Sequence, residues 1–149
     1  MNSTSATLNI ESIEEYTLFA LDRSQEGLNK LREDCRRCAE ALSTRSAEAF
    51  SRLSALAGNL YDFDVFQKDI VSFFEIDPAN IGDERGTLKG AEDNFRSRLD
   101  ELAVLLEGSD FKGLADLLTF ALPSALDRFS DMFPLLRNYI DVQYLSTTP

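Results

Sequence analysis

The sequence predicts an all-α fold: an antiparallel up-down-up-down four-helix bundle whose last helix is kinked or broken at proline. Three observations lead there. Apolar residues recur at steps of three and four along four long segments. The segments are joined by polar breaks of roughly 4, 10 and 3 residues, lengths that suit antiparallel neighbours. No segment of useful length alternates with a period of two, so no sheet is expected. A chain of 149 residues fits one domain, expected over residues 11–142 with flexible ends at 1–10 and 143–149. A domain of that size buries roughly 68–70% of its unfolded surface without help from disulfides or metals.

The first nine residues are small and polar, and Asn9 or Ser12 can cap a first helix over residues 11–42. Glu11, Glu14 and Glu15 fall in its opening turns, where the helix dipole favours acid. Leu28, Leu31, Cys35, Cys38 and Leu42 repeat at steps of 3, 4, 3 and 4, the seam of a helix lying nearly parallel to a neighbour. Gly27, which costs about 1 kcal/mol relative to Ala inside a helix, marks a kink or a close contact. Ser43 to Ser46 makes the turn. A second helix over residues 47–76 carries Phe50, Leu53, Ala57, Leu60, Phe63, Phe66, Ile70 and Phe73 on one face. Around LYDFDVF its apolar stripe is wide, so this helix is expected to touch more than one partner.

Residues 77–86, DPANIGDERG, form the clearest loop, with Pro, two Gly and turn-favouring Asp and Asn. A third helix follows over residues 88–107, with Phe95, Leu99, Leu102 and Leu106 inward. Gly108 closes it, and Ser109 or Asp110 caps the next. The fourth segment, residues 110–141, places Phe111, Leu114, Leu118, Leu122, Ala125, Phe129, Met132, Leu136 and Tyr139 on one side. Pro123 and Pro134 interrupt it. Each removes a backbone donor and crowds the carbonyl four residues earlier, so a kink or break is expected near both. Asp110, Leu114, Leu117, Leu118, Leu122-Pro123, Leu126 and Phe129 resemble the fourth helix of a family of uncharacterised bacterial helical proteins, which has an acidic-aromatic start and a mid-helix Leu-Pro. The resemblance covers the last third of the chain. It implies the helical fold and a bacterial source, and brings no function with it.

Composition excludes several chemistries. The chain has no histidine, so it lacks the Glu-x-x-His pairs of a di-iron bundle and the base of a Ser-His-Asp or Cys-His site. Two cysteines are too few for most zinc sites. No cofactor and no metal are expected. The net charge of −11 disfavours nucleic acid and anionic lipid as partners. Two cysteines, no Lys or Arg before Arg23, and no apolar run near the ~20 residues of a membrane span point to the cytoplasm.

Cys35-Arg36-Arg37-Cys38 matches C-x-x-C, but it falls mid-helix on two seam positions, where Cys packs as a small apolar residue. Asp62, Asp64, Asp69, Glu75 and Asp77 form an acidic run without the Gly and terminal Glu of a calcium loop, and read as a solvated face. A weaker cation reading attaches to Asp77, Asn80 and Asp83. Charge is uneven: residues 30–52 hold six basic and four acidic side chains, and residues 62–84 hold seven acidic and one basic. This asymmetry can orient a partner or pair two copies head to tail. In the last helix Phe120, Leu126, Phe133 and Leu135 lie off the main stripe and form the candidate partner surface. The expected function is therefore protein binding without catalysis, as an adaptor, a small acidic chaperone or a regulatory subunit. Its partner would be another protein, basic or helical, or a second copy in a homodimer. The alternative is a helical bundle that binds a small molecule or metal in a carboxylate-lined pocket.

Overall fold

The computed structural model describes residues 15–145. It is all-α and 84% helical, with five helices packed together: α1 (Ser24–Ser43), α2 (Ala49–Phe73), α3 (Leu88–Glu107), α4 (Phe111–Asp116) and α5 (Leu122–Ile140). The expected cap at Asn9 or Ser12 and the expected flexible start lie outside the described residues. Residues 15–22 are also helical, and a turn at Arg23 separates them from α1. The expected first helix is thus divided four residues ahead of Gly27. At the division the hydroxyl of buried Ser24 donates to the Leu21 carbonyl, and a serine that bonds nearby backbone competes with the regular ladder.

The helix ends share one device. Arg45, Glu75 and Ser109 each take a positive φ, of 55°, 53° and 52°. Just beyond each, an amide reaches back five residues, from Ser46 to the Ala41 carbonyl at 2.9 Å, Ile76 to Val71 at 2.8 Å and Asp110 to Leu105 at 3.0 Å. These bonds satisfy carbonyls that the helix end leaves open. Gly108 does not supply the left-handed residue; its neighbour Ser109 does. At the N-terminal ends, Thr87 Oγ1 accepts from the Gly90 amide at 3.1 Å and Asp110 Oδ1 from the Gly113 amide at 2.9 Å. α3 consequently has the bounds its caps predict.

One expectation about sheet fails in a small way. Gly82–Asp83 (β1) pairs antiparallel with Gly86–Thr87 (β2), a two-residue hairpin inside the loop. Gly86 at φ 148° and the Asp83 side chain, which accepts from the Arg85 amide at 2.9 Å, close it. Between α4 and α5 the segment Leu117–Ala121 is π-helical. Pro123 has no N–H to offer the Thr119 carbonyl, and the irregular turn sits just before it. Pro134, in contrast, lies inside α5. A second π-helical stretch, Asp141–Leu145, carries the helix past the expected fraying point at Val142.

The core centres on four rings from three helices. Phe63 of α2 lies 5.6 Å from Phe95 of α3 and 5.1 Å from Phe129 of α5, and Phe95 lies 5.6 Å from Phe129, all edge to face. Phe133 joins at 5.7 Å from Phe129 and 6.0 Å from Phe63. Around this knot the α1 seam is buried at all five positions, Leu28, Leu31, Cys35, Cys38 and Leu42. The expected inward sets hold in part. Leu53, Leu60, Phe63, Ile70, Phe95, Leu99 and Leu102 are buried, whereas Phe50, Phe73, Leu106 and Phe111 are exposed. These four lie at or near helix ends and to the side of the inward arcs; Ala49, Ile70 and Val71, at the same ends of α2, are buried. No helix among the described residues is long and apolar enough to cross a membrane.

Candidate functional site

The proposed surface on the last helix divides in two. Phe120 is 69% exposed and Leu135 36%, while Leu126 and Phe133 are buried. The correction follows from helix geometry. At about 100° per residue, Phe133 stands only about 40° from Phe129, and Leu126 about 60°. Both belong to the same inward stripe as Leu122, Leu136 and Ile140, also buried. Phe120 and Leu135 point outward, but 15 positions apart they are isolated apolar residues rather than a patch.

The larger exposed apolar surface lies on α2. Its inward face holds Leu53, Leu56, Leu60, Phe63, Ile70 and Val71. On the outward side Phe50 is 61% exposed, Tyr61 45%, Val65 56% and Phe73 44%. Phe50, Ser54, Gly58, Tyr61, Val65 and Ser72 fall within about 80° of arc, one stripe along the whole helix. No charged residue interrupts the chain between Arg52 and Asp62. At one end of the stripe Phe50 stacks edge to face on Phe111 at 5.5 Å, beside a cleft of about 450 Å³ lined by Leu42, Arg45 and Ala49. About 60–120° further round α2, outside the stripe, a cleft of about 430 Å³ opens between Tyr16 and Phe66, Ile70 and Phe73. The sequence signal for this surface was the wide stripe around LYDFDVF.

Polar groups gather at two further places. Asp64, placed by its acidic neighbours on a solvated face, is buried. Its Oδ2 accepts from Lys68 Nζ at 3.1 Å and from Arg96 of α3 at 3.0 Å. Close by, burial pushes the Glu92 carboxyl up to about 7, against the pull of Lys68 and with the repulsion of Asp93 and Asp64. The long-range partner Arg96 is what sequence order concealed. A cleft of about 560 Å³ between α1, the hairpin and α5 gathers Arg32, Arg85 and Arg128 with Asp127 and Asp131. There Arg32 donates to Asp127 at 2.9 Å and to Ser130 Oγ at 3.0 Å. Arg128 bridges Asp131 at 2.9 Å and Asp83 at 3.1 Å, which holds the Asp83 carboxyl below its ordinary range.

The thiols of Cys35 and Cys38 are free and buried. Burial, with the repulsion of Cys38 and Asp34, pushes the Cys35 thiol up to about 12. Arg36 and Arg37 do not activate it: both donate to Glu33, at 2.6 Å and 3.1 Å, and hold that carboxyl down at about 2. The carboxylates of the loop are likewise engaged, Asp77 by the Ala79 amide at 3.0 Å and Asp83 by Arg85 and Arg128. Among the described residues no group of three or more His, Cys, Asp or Glu is placed to hold a metal ion.

Compared with family models, curated proteins and solved structures, the chain matches none of them.

Proposed function

We propose that this chain is a non-catalytic protein-binding helical domain of the cytoplasm, an adaptor, small acidic chaperone or regulatory subunit, which docks a helical protein along the outer face of α2. The observation that carries this reading is the exposure of Phe50, Tyr61 and Val65 along one stripe of a single 25-residue helix. Covering a large apolar side chain is worth about 1.5–3 kcal/mol, so the stripe offers several kcal/mol to an apolar helix laid in register with it. The turn Thr44–Glu48 and the short link Gly108–Asp110 support antiparallel neighbours, with α4 and α5 together serving as one interrupted fourth helix of an up-down bundle. Tyr61→Arg and Val65→Arg test the surface. Both side chains are solvent-exposed, so helicity and melting temperature should stay as they are while a stoichiometric partner is lost. A partner retained at full occupancy by both variants would remove α2 from consideration.

A second reading rests on the cleft of Arg32, Arg85, Arg128, Asp127 and Asp131, which suits a small polar molecule bearing both charges. Calorimetric titration with zwitterionic metabolites, repeated on Arg85→Ala, separates the two. Saturable heat that the variant loses would favour the cleft.

A further inference from the structure

We infer that the outer face of α2 pairs with the same face of a second copy of this chain, the two helices running antiparallel about a two-fold axis at Tyr61. This rests on the reading of α2 as a docking surface and names its occupant. Two features of α2 and its ends select a second copy.

The first is shape. An axis at Tyr61, the middle of α2, sets each residue against the one equally far beyond the centre. Tyr61 then meets Tyr61 of the second copy, Val65 falls opposite Ala57 and next to Gly58, and Phe50 comes over Ser72. Away from the central Tyr61 pair, large side chains face small ones, and the face is self-complementary as an isologous interface requires. Gly58 has no use within the isolated fold: it is exposed, and a Cβ there would meet nothing within 4 Å. Inside a helix it costs about 1 kcal/mol relative to Ala. Against a facing helix it gives room for Val65.

The second is charge. Arg45 precedes α2 and lines the cleft beside Phe50, and among the described residues it makes no ion pair. Glu75 and Asp77 lie just beyond the other end and are exposed. Antiparallel pairing brings Arg45 to Glu75 and Asp77 of the second copy, twice by symmetry. Parallel pairing sets every charge beside its own copy, whereas the antiparallel arrangement brings like charges together at mid-helix, for Asp62, and where Glu48, held by Arg52, comes one position from Glu75 of the second copy.

Sedimentation velocity on the full chain, at moderate salt to screen the net charge of −11, is the test. The chain should sediment as a dimer. Tyr61→Arg should weaken the dimer about 30-fold or more, the scale of a central interface residue. Gly58→Leu should do the same while leaving the helical signal intact, because the monomer has space for it. Arg45→Glu and Glu75→Arg should each weaken self-association several-fold, and their equimolar mixture should restore it. A chain that stays monomeric at every concentration overturns self-pairing; loss of a different protein from Tyr61→Arg would then leave the docking reading standing alone. A dimer indifferent to Tyr61→Arg and Gly58→Leu overturns both.

Discussion

Phe129 and Phe133 stand one turn apart on the inner side of α5, their rings 5.7 Å from each other and both packed on Phe63 of α2. Phe129 is wholly buried and Phe133 is 2% exposed, so the two should fail alike. Phe129→Ala should cost about 3–5 kcal/mol. Phe133→Asp should unfold the chain near neutral pH, since the site is buried against the rings of Phe63 and Phe129 and a buried, unpaired carboxylate is strongly disfavoured. Circular dichroism melts check both; a Phe133→Asp variant melting like the parent would take Phe133 out of the core.

Three helix ends carry a left-handed residue that is not glycine. Ser109 at φ 52° stands in the position that glycine fills without steric cost. Ser109→Gly should therefore stabilise the fold by about 0.5–1 kcal/mol, the relief of strain being partly offset by a more flexible unfolded chain. Urea titrations give the answer directly. An unchanged or lowered midpoint would show that the Ser109 side chain contributes more than its backbone strain costs.

Glu92 sets a pH dependence. The unfolded chain releases this proton near 4.5 and the folded chain near 7. Between those values the folded state holds more protons, so stability falls as pH rises, and above about 7 the penalty is complete. Glu92→Gln removes it. The variant should gain about 1 kcal/mol at pH 8, a figure reduced for the solvent screening of a half-buried group, and nothing near pH 4. Paired melts at the two pH values test the sign: an equal shift at both would detach the effect from ionisation.

Cys35 and Cys38 belong to the α1 seam, and burial raises both thiols above their ordinary range. A native chain at pH 8 should resist alkylation until denaturant is added. Cys35→Ala with Cys38→Ala should retain the helical signal at a cost of about 1 kcal/mol per site. Rapid labelling of the folded chain, at a rate close to that of a free thiol, would contradict the burial.

Helix positions were legible wherever local chemistry sets them. The span Leu88–Glu107 was legible from the steps of Phe95, Leu99, Leu102 and Leu106 and from Gly108 at its end, because periodicity and capping involve groups three or four residues apart. The heptad of Leu28, Leu31, Cys35, Cys38 and Leu42 was legible for the same reason, as spacing alone places them on one side. What spacing does not contain is which neighbour covers a given arc of a helix, and how far along. Phe50 and Phe73 share the steps of Leu53 and Ile70, yet they are exposed because they stand at the two margins of the inward arc of α2, while Ala49, Ile70 and Val71 beside them are buried. Asp64 stands in an acidic run, yet it is buried because Arg96, 32 residues later, arrives to meet it. Tertiary structure alone decided these, since burial depends on elements brought together across the chain, and local sequence encodes only the side of its own helix.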